Sequence, residues 1–156
     1  MDRLPLNPHR IKKTGIKMTL SNSSNVDFLG YVKSTGETST IQIKEKYQPA
    51  LLGLEKFSHA IILYWFHLRD NDKHRKVLQV TPPRHKGASL TGVFGCRSPS
   101  RPNPIGHTIV RIESIEEGCL KVRGLDALTG SPIIDIKPYL IHDCKRDAYF
   151  PEYFKD

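Results

Sequence analysis

Cysteine is scarce in this sequence, and what little there is has no pattern. Cys96, Cys119 and Cys144 are odd in number and far apart, which fits neither a disulfide framework nor the paired spacing of a zinc site. Reduced thiols in a cytoplasmic setting are the expectation. The seven histidines, at positions 9, 59, 67, 74, 85, 107 and 142, contain no His-x-x-x-His pair, so no metal centre is expected. Long apolar runs are missing as well. None approaches the ~18–20 residues that cross a bilayer, and residues 1–13 lack the apolar core of a secretory signal, so neither a membrane span nor export is expected. No glycine-rich fingerprint joins a strand to a helix, so a nucleotide-like cofactor would need a non-Rossmann pocket. Acidic residues are in short supply: 16 Asp and Glu stand against 24 Lys and Arg, leaving a net charge of +8 with neutral histidines. That balance favours polyanionic partners, although a solvated basic face gives the same count.

What is present describes a β domain. A chain of 156 residues fits one domain with a sizeable apolar core. Residues 1–25, with Pro5, Pro8, Gly15 and the polar run 21–25, read as an extended arm. From Val26 the composition changes to short runs of Val, Ile, Tyr and Phe broken by glycine, proline and charge, and the domain is expected over 26–145, with a short tail over 146–156. The runs at 28–34, 38–43, 60–67, 76–80, 107–114, 119–123 and 133–136 are expected strands. Glu116-Glu117-Gly118 and the segment around Gly36 are expected hairpin turns. Residues 49–54, apolar but broken by Gly53, are expected to form a helical turn. Strands without alternating long helices argue for a mainly β, antiparallel barrel or sandwich.

Three stretches carry candidate chemistry. Residues 92–107 hold Pro99, Pro102 and Pro104, which fix φ and remove backbone donors, so this is a stiff loop between strands. Within it Arg97 and Arg101, four apart, with Ser98 and Asn103, offer guanidinium forks and neutral donors to a carboxylate, phosphate or base edge. The plainer reading is a braced connection with arginines facing water. Residues 124–139 place a turn, with Asp126, Thr129 and Ser131, before a strand in which Asp135 and Lys137 share a face, either lining a cavity or forming a salt bridge. Residues 53–67 contain an apolar run, expected to be buried on both faces, ending at His67. Its Tyr64, Trp65 and Phe66 read as core or dimer surface more readily than as a base-stacking platform.

Taken in order, GLEKFSH, YWFH, GVF, RSPSRPNPIG and GLDALTGSPIIDIKPYL resemble the TrmO/TsaA-like family of tRNA methyltransferases over about 28–139. The resemblance implies a single-sheeted antiparallel β-barrel with short helical turns that forms a homodimer and binds S-adenosyl-L-methionine. It implies methylation of the exocyclic amine of a threonylcarbamoyl-modified adenosine beside the tRNA anticodon. Carried over residue by residue, it puts His67, Arg97, Ser98, His107, Leu128, Thr129, Gly130 and Ser131 at the cofactor, and Arg101, Asn103, Asp135 and Lys137 at the reacting groups. Members usually carry a longer loop with a Pro-Arg-Gln-like contribution where this chain has only residues 35–40, and some continue into a further domain. The competing readings are a methyltransferase of another substrate and a non-catalytic basic RNA-binding barrel.

Overall fold

The protein was analysed as a computed structural model that describes residues 23–154. Of the arm expected over 1–25, residues 1–22 lie outside the described residues. Eight strands are present: β1 (Gly30–Ser34), β2 (Thr38–Ile43), β3 (His59–Trp65), β4 (Gln79–Val80), β5 (Thr91–Gly92), β6 (Ile105–Glu116), β7 (Cys119–Arg123) and β8 (Pro132–Pro138). Six close into a barrel in the order β1-β2-β7-β6-β3-β8, with β8 returning to β1, and every pairing is antiparallel. The interior is built from alternate residues, as the two-residue period of a strand requires. Val32, Ile41, Ile43, Ala60, Ile62, Tyr64, Val110, Leu120, Val122 and Ile133 are its buried set.

Closure depends on one missing side chain. Gly30 pairs with Ile43 on one side and Ile133 on the other, and a Cβ there would stand 2.1 Å from the Gln42 carbonyl oxygen. The β6–β7 turn is a two-residue loop, Glu117 and Gly118, both with positive φ (50° and 72°), the twist that a tight hairpin needs.

Several expectations are corrected. The run at 60–67 is not buried on both faces. A barrel wall takes alternate residues inward, so Ile61, Leu63 and Trp65 are left half-buried outside, Trp65 against Phe28. That strand also stops at Trp65, and His67 opens a 3-10 turn, His67–Arg69. The strand expected at 76–80 shrinks to Gln79–Val80 and pairs with Thr91–Gly92 outside the barrel; Asn71 caps a helical turn, α1 (Asp72–Arg75), whose carbonyls still hold the N–H groups of Lys76 and Val77. Residues 49–54 fall into two 3-10 turns, Glu45–Leu51 and Leu54–Lys56, divided by Gly53 at φ 88°. No described helix is long and apolar enough to cross a membrane.

Candidate active-site cleft

β6 is longer than the strand that flanks it. β3 pairs with Ile105 to Arg111, whereas β7 pairs only from Arg111 onward, so the first half of β6 has a neighbour on one side only. The hydrogen bonds from Phe66 N to Pro104 O and from Ile112 N to Ser58 O set the ladder phase. Gly106, Thr108 and Val110 therefore bond toward β3, while the peptide groups of His107 and Ile109 point away from it. Along this open edge lies a cleft of about 370 Å³, lined by Tyr64, Phe66, Arg97, Arg101, Ile105, Gly106, His107, Thr108, Ile109 and Asp126.

The proline-rich loop delivers the two arginines. The Pro104 ring is buried and its carbonyl anchors the loop to Phe66. Arg101 donates to the Val93 carbonyl at 2.7 Å, so one of its prongs is spent on the loop itself. Between the arginines, Ser98 and Ser100 bond each other's polar atoms, and His74 Nδ1 meets Ser100 Oγ at 2.8 Å. Arg69 Nη1 lies 3.0 Å from His74 Nε2. A guanidinium only donates, so Nε2 accepts, and Nδ1 carries the proton that it donates to Ser100. Partial burial, then Arg69 and Lys73, holds the imidazole below the ordinary histidine range. The Arg97 guanidinium has no side-chain partner among the described residues and faces the cleft.

The turn over 125–131 reaches the cleft through Asp126. Gly130 N donates to Val32 O at 2.8 Å and Val32 N to Ser131 O at 2.9 Å, Ser131 is buried, and Thr129 Oγ1 meets Thr35 Oγ1 at 3.3 Å. The last contact sets the 35–40 segment beside this turn. Gly130 has φ 84°, and a Cβ there would stand 3.9 Å from His67 Nε2, so His67 adjoins the turn. The Tyr64 hydroxyl, reaching up from the core, donates to the Asp126 carbonyl. Gly106 makes room for it: a Cβ at that position would lie 2.4 Å from the Tyr64 ring. Burial raises the Tyr64 pKa despite the hydrogen bond from Thr108, so the phenol stays neutral.

The candidate residues are thus divided. Arg97, Arg101 and His107 line the cleft; His67 adjoins Gly130 of the turn, but neither it nor Leu128 to Ser131 is among the lining residues; Ser98 bonds within the loop. Asn103 is exposed, with its carbonyl accepting from Ile105 N at 2.8 Å. Asp135 and Lys137 are elsewhere. They do share a face, but Ile134 is an extra residue between the pairs Leu63↔Asp135 and Tyr64↔Ile133, and this bulge turns Asp135 outward. There it forms an ion pair with Lys137 at 2.6 Å, both about half-exposed, on the edge of a different cleft. Tyr64 and Thr108 are site residues that the sequence reading does not reach. The available signal is a tyrosine at an inward position of an aliphatic strand, where its hydroxyl needs a partner. Arg84, whose Nη1 lies 3.8 Å from Asp126 Oδ2, gives no signal beyond its place in a basic cluster. Among the described residues no group of His, Cys, Asp or Glu is arranged to hold a metal.

Residues 31–144 match the family model described as the tRNA-methyltransferase O N-terminal domain. A protein of Methanothermobacter thermautotrophicus named as a probable S-adenosyl-L-methionine-binding protein is 49% identical over 105 residues, 67% of this chain and 72% of that protein. A human protein named tRNA (adenine(37)-N6)-methyltransferase is 47% identical over 91 residues, which is 58% of this chain but 20% of that protein. The crystal structure of TrmO from Pseudomonas aeruginosa superposes with a TM-score of 0.64 at 30% identity, covering 81% of this chain and 61% of that one. The chain therefore spans a fifth of the human relative's length and nearly three quarters of the archaeal one's.

Proposed function

Because the chain belongs to the tRNA-methyltransferase O N-terminal domain family, we propose that it methylates the exocyclic amine of the adenosine beside the tRNA anticodon, in its threonylcarbamoyl-modified form, from S-adenosyl-L-methionine. The observation that carries this reading is the convergence of Arg97, Arg101, His107 and Asp126 on one cleft beside a half-paired strand. The donor set suits that cofactor: an unpartnered guanidinium for its carboxylate, and outward peptide groups of His107 and Ile109 for a base edge. S-adenosyl-L-methionine supplies a methyl group made electrophilic by its sulfonium, so the protein's share of the work is alignment.

In this reading Arg97 grips the carboxylate through its planar fork, Ser98 shapes the loop, and His67 with Leu128, Thr129, Gly130 and Ser131 closes the far side. Asp126 is the only carboxylate among the lining residues; it accepts a hydrogen bond from the attacking amine and offsets the positive charge that develops on nitrogen. Arg101 and Asn103 face the acceptor side. Asp135 and Lys137 brace β8 rather than touch the reacting groups. The protein works as a homodimer in the cytoplasm, and the half-exposed Ile105 and Ile109 beside the cleft supply apolar area for a second copy.

The test is incubation of the purified protein with S-adenosyl-L-methionine and total tRNA, followed by mass spectrometry of the nucleosides. An added methyl on the modified adenosine is the expected result. Cofactor binding without tRNA methylation would favour another acceptor, and no cofactor binding at millimolar concentration would favour a non-catalytic RNA-binding barrel.

A further inference from the structure

We infer that Arg84 is the RNA-phosphate contact at the mouth of this cleft, presented on a turn that the chain's C-terminal segment clasps; this rests on the tRNA-methyltransferase reading above. Arg84 follows Pro82 and Pro83 in the segment between β4 and β5. Hydrogen bonds from His85 N to Pro82 O and from Ala88 N to His85 O fold that segment into two successive turns, with Pro82 buried. The neighbouring ring of His85 packs on Phe154 at 4.4 Å and Tyr153 at 6.3 Å between centroids, and those two rings pack on each other at 4.9 Å. An exposed turn is in this way tied down by the tail, and its arginine is held at a defined place.

That place is the cleft. Arg84 and Arg97 both act electrostatically on the Tyr64 hydroxyl, and Arg84 reaches Asp126 on the cleft wall. Arg97 and Arg101 line the same cleft as Asp126, and Arg84 is the guanidinium that meets its carboxylate. Arg101 is partly committed to the Val93 carbonyl, and Arg97 is assigned to the cofactor carboxylate, which leaves Arg84 for a second anion. Its present pairing is loose: 3.8 Å, no hydrogen bond, and side chains 83% and 77% exposed, the kind of surface pair that contributes little. A phosphodiester accepting both prongs of the guanidinium is the stronger partner. The exchange has a second effect, because it releases the Asp126 carboxylate to meet the acceptor amine.

The experiment measures tRNA affinity by fluorescence anisotropy across a potassium chloride series, with S-adenosyl-L-methionine saturating. Each phosphate that is no longer neutralised should reduce the magnitude of the log K against log salt slope by about 0.7–0.9. Arg84→Ala is expected to show that reduction, while its cofactor affinity by calorimetry stays within about twofold of the wild type's, since Arg84 does not touch the cofactor. Arg84→Lys is expected to keep the slope, since the charge remains, but to lose turnover because the fork is gone. Phe154→Ala, which loosens the clasp, is expected to weaken tRNA binding with the slope retained. An unchanged slope in a folded Arg84→Ala variant, with wild-type tRNA methylation intact, overturns this inference alone. A wild-type protein that does not methylate tRNA removes the underlying reading, and this inference with it. Millimolar inorganic phosphate is expected to suppress wild-type tRNA binding more than chloride of the same ionic strength, because it competes for the fork, and Arg84→Ala is expected to lose that selectivity; selectivity unchanged in Arg84→Ala overturns the assignment.

Discussion

Two clefts of nearly equal size open on this barrel, about 330 Å³ and about 370 Å³, and their contents differ completely. The smaller is walled by Leu29, Ile43, Leu51, Leu54, Phe57 and Ile136, with Asp135 at its edge. Its one carboxylate is already neutralised by Lys137. The larger brings two arginines, a histidine and a carboxylate to the rim of an apolar floor. Volume does not distinguish a binding site from a packing gap; a few convergent polar groups with unspent valence do. The apolar cleft arises where two short 3-10 turns lie across a barrel mouth, whereas the polar one arises where a strand outruns its partner.

The sharpest way to test the comparison is one substitution in each cleft. Arg97→Ala is expected to cost about 2–4 kcal/mol, a roughly 30- to 1,000-fold loss in cofactor affinity or methyl transfer, with the melting temperature retained. Asp135→Ala is expected to leave methyl transfer within about twofold, because it breaks only a half-exposed ion pair of the kind that contributes about 0–1 kcal/mol to stability. Methyl-transfer kinetics at limiting and saturating cofactor, with thermal unfolding of both variants, decide the matter. Equal losses in the two would erase the distinction between the clefts.

A smaller effect should follow from crowding the polar cleft's floor. Gly106→Ala forces a methyl into the Tyr64 ring, and overpacking of this kind costs about 1–3 kcal/mol. Denaturant unfolding should show that loss, and cofactor affinity should fall with it, since Tyr64 holds the Asp126 turn.

The smallest effect is one of pH, and it acts through His74, which tethers the arginine-bearing loop at Ser100. His74 is held below the ordinary range by partial burial and by Arg69 and Lys73, so between its folded and unfolded values the unfolded chain binds more protons, and stability rises with pH. The neutral pairing with Ser100 is therefore fully present above the ordinary value of about 6.5 and is lost as pH falls through the lower folded value. Cofactor affinity measured over a pH series should decline on the acid side in the wild type. His74→Asn, which offers Ser100 an uncharged donor, should show a shallower decline; identical profiles would mean that this tether does not support the loop.

Much of the fold is readable in the sequence, for reasons that can be stated. Short runs rich in Val, Ile, Tyr and Phe between glycine, proline and charged breaks betray strands because such side chains pack well on a pleated surface, and Val32, Ile41, Ile62 and Leu120 of these runs do lie in the interior. Pro99, Pro102 and Pro104 betray a rigid loop because each removes a backbone donor. The bulge at Ile134 is not readable, since no glycine or proline marks it, and so the direction of Asp135 is not either. Tyr64 reads as core, where its ring does lie, but the reach of its hydroxyl depends on the position of Asp126, 62 residues away in sequence. Arg84 enters the site only because β4 and β5 leave the barrel as a separate ribbon, a long-range event with no local signature.

The extra length of β6 also partitions the strand's labour. The seam with β7 is sewn by Arg111 to Glu116, while residues 105, 107 and 109 pair with β3 alone and have no strand on their other side. Replacing them should alter which molecules the wall recognises without unpicking the fold, so that novelty and robustness occupy different halves of a single strand.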